Sequence, residues 1–295
     1  MTLVRRSSRI GSFVLALGFG LAGPVRGHDF WIEPSLADAK SGTAIDCTLR
    51  VGDFGRGDVV PRSASHIVSF RAIDARGESD VEGAEGSAIA GSTTLRAAGT
   101  TVIAYDSRPT RLELDAFRFA LYLREAGLDA IVEERNARNE AREPGREAFA
   151  RCAKALVRVD GDSAGFDRAI GLPLELVPRT DPFALDDGGS MRVALLQDGK
   201  PVAGTRVGAT ALGAERTSLF ANTDEHGEDT FELPRAGRWV IHAVTMQRAE
   251  PGADDDWRST WASLTFTIPS AERASPPADA ASADPAPARE NSEDR

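Results

Sequence analysis

The chain has 295 residues, of which 41% are hydrophobic, and this excludes a protein that is disordered or membrane-embedded over its whole length. Its formal net charge of −10 disfavours nucleic acid and anionic lipid as partners, because both would be repelled. The length allows two domains of ordinary size, or one large β-rich domain with an insertion.

Residues 1–27 have the order of a secretory signal peptide. Three arginines precede an apolar run over residues 13–23, which is too short to span a bilayer, and small residues surround it. We predict cleavage after Gly27, so that His28 becomes the first residue of a periplasmic or secreted protein without a stable membrane span. Cleavage removes four arginines and no acids, and the formal charge moves from −10 to −14.

Short alternating runs predict a β-rich first unit. AIDCTLRV (44–51), SHIVSFRAI (65–73) and GTTVIAYDS (99–107) are typical of strands. Residues 77–99 carry few large apolar side chains and predict loops or a marginal hairpin.

The two cysteines, Cys47 and Cys152, allow two interpretations. In an oxidising compartment they would form one disulfide that joins distant parts of the first domain. Alternatively, they are two separate buried thiols.

Residues 115–150 predict a helical insertion. Apolar residues recur there at helical spacings: Phe117, Ala120, Leu121 and Leu128. Breaks at Gly127 and at residues 143–145 divide the insertion into two or three helices.

The second unit follows a strand and link over residues 171–182. Strands and turn signals then alternate at regular spacing, which favours a small β-sandwich. Residues 270–295 are rich in Ala, Pro, Ser and acids and predict a disordered tail. The predicted fold class is mainly β, with two β-sandwich-like domains over residues 28–172 and 173–269.

Two stretches, GKPVAG (199–204) and TDEHGEDTFELPRAGRW (223–239), resemble the carboxypeptidase-regulatory or transthyretin-like β-sandwich. The local physical chemistry agrees with a turn at this place. Asp224 can close an Asx-type turn on its own backbone, and Gly227 can take a positive φ.

Nearly all of the mature chain resembles the domain-of-unknown-function 4198 (DUF4198) family. The motifs that carry this resemblance are, in chain order, HDFWIEPS, AKALVRV leading to GLPLELVPRTDP, GKPVAG, LPRAGRW and DDDWRSTWASLTF. The family is labelled as a periplasmic component of cobalt or nickel transport. The resemblance therefore implies metal uptake, and it implies no catalytic residue.

His28 predicts a metal site if it becomes the N-terminus. Its α-amine and imidazole can chelate one metal together, and neutral nitrogen ligands suit copper or nickel. His242, on the strand face that also carries Val240, is the best second ligand. The alternative is that the HDFW segment only anchors the first strand, with Phe30 and Trp31 packed, while His242 lies in or near the core.

Asp224, Glu225 and His226 are weaker candidate metal ligands. They lie in a turn rich in acids, which can bind a hard cation weakly. The alternative is an exposed, solvated turn. His66 is predicted to lie in the core or at a strand edge.

The acidic run Asp254–Asp256 precedes Trp257 and Trp261. The aromatic residues could line a ligand groove to which the acids add a cation contact. Alternatively, the acids form the loop before the last strand and Trp261 is core. In a strand the two tryptophans would face the same side.

The sequence contains no nucleophile elbow, no zinc-protease motif and no phosphate-binding loop. It therefore predicts a non-enzymatic, exported binding or accessory protein. This protein would handle nickel, cobalt or copper for uptake, with a transporter or another envelope protein as partner. The main alternative is a non-catalytic β-sandwich for protein or envelope contacts, and a third is a copper-dependent oxidative enzyme built on His28.

Overall fold

The computed structural model describes residues 29–52, 57–185, 187–213 and 217–270. The predicted signal peptide, the predicted ligand His28 and the predicted tail beyond Ser270 lie outside the described residues. The structure is 52% strand and 9% helix, which confirms the mainly β fold class. No helix among the described residues is long and apolar enough to cross a membrane.

In chain order the strands are β1 (Phe30–Pro34), β2 (Asp38–Ala39), β3 (Ala44–Val51), β4 (Asp58–Val60), β5 (Ile67–Asp74), β6 (Gly77–Asp80), β7 (Gly91–Thr94), β8 (Gly99–Ser107), β9 (Thr110–Leu114), β10 (Gly145–Val159), β11 (Leu174–Pro178), β12 (Gly189–Gln197), β13 (Lys200–Pro201), β14 (Arg206–Ala211), β15 (Ser218–Asn222), β16 (Glu228–Leu233), β17 (Gly237–Arg248) and β18 (Trp257–Ile268). The helices are α1 (Ala116–Glu125) and α2 (Asp129–Ala137), with a 3-10 turn at Ala64–His66.

The described strands form one large sheet and two small ones. The large sheet has the order β15-β14-β17-β18-β10-β8-β5-β6, with β2 and β9 also paired to β10. One small sheet has the order β1-β3-β4, with β7 on β3. The other has the order β11-β12-β13, with β16 on β12.

The two small sheets cover opposite faces of the large sheet. In β8, Val102 belongs to the core shared with β11 and β12, whereas Ile103 belongs to the core shared with β1 and β3. In the same way, Leu156 of β10 enters the first core and Ala155 the second. Since successive side chains of a strand point to opposite faces, the molecule is layered as sheet on sheet on sheet.

The large sheet crosses the predicted domain boundary at residues 172/173. β10 pairs in parallel with β18, from Glu147 opposite Trp257 to Ala155 opposite Thr265. Any two domains in this chain therefore share a sheet, and their division stays a prediction.

Two predicted strands, 44–51 and 99–107, coincide with β3 and β8. The segment over residues 77–99, predicted as loops or a marginal hairpin, carries the short strands β6 and β7. The prediction that His66 lies in the core or at a strand edge is wrong. Its side chain is exposed at the end of the 3-10 turn, because β5 begins one residue later, at Ile67.

The helical insertion is shorter than predicted. It ends with α2 at Ala137, and residues 145–150, predicted as helix, begin strand β10. Residues 145–149 pair with β9, and β18 pairs on the other side from Glu147 onward. These ladders override the helical preference of the local sequence.

The prediction of which α1 residues form its buried face is also wrong. Phe117 is 78% exposed and Leu121 is 44% exposed. The buried face consists of Phe119, Tyr122 and Leu123, which pack on Trp257 of β18. Asp115 caps the helix by accepting a hydrogen bond from the Arg118 backbone N–H at 2.9 Å, and Gly127, at φ 74°, separates α1 from α2.

The disulfide between Cys47 and Cys152 is not formed. Both residues are free and buried, which agrees with the alternative of two separate thiols. Cys47 lies in the core between β3 and the large sheet, whereas the Cys152 Sγ lies 3.8 Å from the Asp106 Oδ1. Burial raises the pKa of each thiol to about 12, so neither is a reactive thiolate at neutral pH.

Candidate functional site

Strand β1 is buried on both faces. Phe30 and Ile32 enter the core between β3 and the large sheet, while Trp31 packs against Val240 of β17. Glu33 pairs with Arg238 of β17 at 2.6 Å and with Arg50 of β3. These contacts fix the start of the described chain against β17.

Asp29, directly before β1, contacts His242 of β17. The distance between the Asp29 Oδ1 and the His242 Nδ1 is 3.3 Å, and the two side chains are 19% and 17% exposed. His242 lies opposite Gly208 of β14 and Ser263 of β18, and the ring of Phe220 meets its imidazole edge-on with the centroids 6.0 Å apart. The structure therefore joins His242 to the residue that follows His28 in the sequence.

Gly208 gives the His242 ring the space that it occupies. A Cβ at position 208 would overlap the His242 Nε2 and would lie 2.9 Å from the Phe220 Cε1. We expect Gly208→Ala to displace the imidazole from Asp29 and to lower the free energy of unfolding by about 1–3 kcal/mol. Chemical denaturation together with the imidazole NMR signals of His242 checks this. An unchanged imidazole spectrum would contradict it.

The turn that contains Asp224 is held by its own backbone. The Asp224 Oδ1 accepts hydrogen bonds from the backbone N–H groups of His226 at 2.8 Å and Glu228 at 2.9 Å, and Gly227 takes a φ of 73°. These hydrogen bonds to the charged form lower the pKa of Asp224. Glu225 and His226 are exposed.

No three His, Cys, Asp or Glu side chains of the described residues form a group able to hold a metal ion. This covers Asp224, Glu225 and His226. The hypothesis that these three residues bind a metal is therefore without support. The Asp224 carboxylate accepts hydrogen bonds from backbone N–H groups, and the side chains of Glu225 and His226 are exposed to solvent.

The acids Asp254–Asp256 pair with arginines. Asp254 and Asp255 contact Arg111 at 3.1 and 3.3 Å, and Asp256 contacts Arg146 at 2.7 Å. Both tryptophans lie on one side of β18, where Trp257 is fully buried and Trp261 is partly buried. The acids therefore fix the loop before the last strand.

A cavity of about 470 Å³ lies beside these acids, lined mainly by charged side chains of α2, β9, β10 and β17. Arg248 pairs with Glu134 at 2.8 Å and with Glu140 at 2.7 Å. Arg135 is buried, which lowers its pKa, and donates to the backbone carbonyls of Glu140 and Glu143. Because these charged groups pair with one another or with backbone carbonyls, the residues that line the cavity form a structural ion-pair network.

A buried carboxyl lies under α1. The Glu147 Oε1 accepts hydrogen bonds from the Tyr122 hydroxyl at 2.9 Å and from the Ser259 hydroxyl, and burial raises the pKa of Glu147. Its Oε2 has no partner among the described residues. The group ties α1 to β10 and β18. This site could not be predicted from the sequence, because Glu147 lies in a stretch whose pattern predicts a helix.

The layered sheets and the Asp29–His242 contact define a mainly β protein whose N-terminal strand is docked on a large central sheet. The family model for DUF4198, a domain of unknown function, matches residues 25–247, and the chain belongs to that family. No curated protein matches the sequence.

Among solved structures, the chain is similar to the D0-D1 domain of Intimin, with 15% identity over 81% of this chain and 97% of that chain, at a TM-score of 0.20. It is also similar to the D00-D0 domain of Intimin, with 12% identity over 81% of this chain and 99% of that one, at a TM-score of 0.19.

Proposed function

We propose that the protein is an exported binding or accessory protein that holds a transition metal (nickel, cobalt or copper) with His28 and His242. One observation supports this proposal: His242 contacts Asp29 at 3.3 Å, and Asp29 is covalently bonded to His28. Chain connectivity thus links His28 to a residue that contacts His242, although the two histidines are far apart in the sequence.

The chemistry of these groups suits such a metal. After cleavage, His28 offers an α-amine and an imidazole, and His242 offers a second imidazole. The ligand atom of His242 would be Nδ1, which faces Asp29, because Nε2 lies against Gly208. The Asp29 carboxylate would add an oxygen ligand. The site is not an acidic cage, and it would prefer late transition metals to calcium or magnesium.

The proposed location is the periplasm or the outside of the cell, and the proposed partner is a transporter or another envelope protein. The acidic mature chain fits a protein that attracts cations. We propose no catalytic role.

Calorimetric titration with Cu²⁺ and Ni²⁺ tests the proposal. The protein beginning at His28 is expected to bind one equivalent. One extra glycine before His28, or His242→Ala, is expected to weaken binding roughly tenfold to a hundredfold, because each removes a nitrogen ligand. His226→Ala, which changes an exposed histidine, is the matched control and should bind like the unchanged protein.

Equal binding by the unchanged protein and His242→Ala would overturn the proposed ligand pair. A loss in His242→Ala without a loss in the glycine-extended form would keep His242 as a ligand and remove the terminal amine. No binding by any form would favour the alternative function, a non-catalytic β-sandwich that contacts proteins or the cell envelope.

A further inference from the structure

Arg151 of β10 lies between aromatic rings where β1 meets the large sheet. Its guanidinium carbon is 5.1 Å from the ring centroid of Phe30 and 4.9 Å from that of Phe149. The phenol groups of Tyr105 and Tyr122 interact electrostatically with its charge. The side chain is partly buried, so part of it remains open to solvent.

The Arg151 guanidinium makes no hydrogen bond and no ion pair with any described residue, although the protein is rich in acids. Two other arginines that stack on rings have acidic partners. Arg158 lies over Phe183 and pairs with Asp38, and Arg248 lies over Trp257 and pairs with two glutamates. Burial lowers the pKa of Arg151, which means that its environment disfavours the charge. A charge that is largely removed from water is normally compensated by an opposite charge.

The Tyr105 hydroxyl is a second hydrogen-bond donor at this place, on a largely buried side chain. It makes no hydrogen bond with a described residue, and its ring packs on Phe30 with centroids 5.3 Å apart. Desolvation is the main cause that raises the pKa of Tyr105, so the hydroxyl keeps its proton at neutral pH. A guanidinium and a phenol O–H are hydrogen-bond donors that suit a carboxylate. The aromatic rings beside them suit a ligand in which this carboxylate is attached to an apolar group.

We propose that Arg151 and Tyr105 bind the carboxylate of a small organic anion, whose apolar part lies against Phe30 and Phe149. The guanidinium donates a charge-assisted pair of hydrogen bonds, and the phenol donates a third. The anion supplies the charge that the described residues do not. This site shares no residue with the proposed metal ligands.

Thermal unfolding at constant ionic strength, with benzoate, acetate and phosphate as probes, tests the site. Benzoate at up to roughly 10 mM is expected to raise the Tm of the unchanged protein, because a ligand that binds only the folded state stabilises it. Arg151→Met keeps the bulk of the side chain and removes its charge. It should lose the Tm shift, which corresponds to binding weakened roughly tenfold or more. Arg158→Met, on the same strand, is the matched control and should keep the shift.

Two further variants keep the test decisive if Arg151→Met does not fold. Arg151→Lys keeps the charge without the planar fork, and Tyr105→Phe removes one hydroxyl, so each should reduce the benzoate shift without abolishing it. A benzoate shift of equal size in Arg151→Met would overturn the proposal, as would the absence of a shift with all three probes. Phosphate acting as strongly as benzoate would overturn the assignment to an organic carboxylate.

Discussion

Replacing Glu175 with alanine is expected to lower the free energy of unfolding by about 3–5 kcal/mol. The Glu175 Oε1 lies 2.8 Å from the Lys154 Nζ, and the two side chains are only 2% and 1% exposed. The carboxylate also accepts hydrogen bonds from the backbone N–H groups of Ile170, Gly171 and Leu172. The substitution would leave an unpaired buried ammonium and three unsatisfied backbone donors. Urea denaturation measures the loss.

The double variant Lys154→Met/Glu175→Leu separates the charge from the rest of the interaction. Because it removes both charges and fills the space, it should recover much of the stability lost in Glu175→Ala. It should not recover all of it, since the three backbone donors remain. Glu78→Ala, which breaks an exposed ion pair with Arg71, should cost less than about 1 kcal/mol. A cost as small as this for Glu175→Ala would contradict the argument.

Strands with one side in a core could be predicted from the sequence. In β3, Ile45, Cys47 and Leu49 are buried and the residues between them are less buried. This alternation has the period of a strand, and the predicted bounds coincide with the observed ones. Strand β8 lacks this alternation, because both of its faces are buried, but its β-branched side chains are typical of a strand and its predicted bounds also coincide with the observed ones.

The first half of β10 could not be predicted in this way. Residues 146–153 are rich in alanine and arginine, which favour helices. The strand exists because β9 and β18 pair with it on its two sides, and β18 lies about a hundred residues further along the chain. A local pattern contains no information about such partners.

The residues of the candidate sites differ in the same way: local sequence singles out one of them, whereas the others depend on contacts with distant strands. His242 could be singled out because histidines are rare in this chain and its strand is strongly patterned. Its neighbour Asp29 became visible only with the docking of β1 on β17. Arg151 could not be found, because its surroundings come from Phe30 and Tyr105, which belong to two other strands. In the sequence it is one arginine among many.

The second large effect on the free energy of unfolding is expected in α1, from replacing Phe119 but not Phe117. Phe119 is fully buried, stacks under the Arg135 guanidinium at 4.8 Å and leaves no room for a side chain at Gly145. Phe119→Ala should lower the free energy of unfolding by about 3–5 kcal/mol, because it opens a cavity between the helices and β10. Phe117→Ala changes the same residue type two positions away, on the exposed face. It should change the stability by no more than about 0.5 kcal/mol.

Chemical denaturation of the two variants decides which face of α1 faces the core. The helical spacing of Phe117, Ala120 and Leu121 alone would predict the larger loss for Phe117→Ala. The packing of Phe119 with Tyr122 and Trp257 predicts the opposite order. Similar losses for both variants would mean that α1 is packed on both sides in solution, and the exposed position of Phe117 would then be wrong.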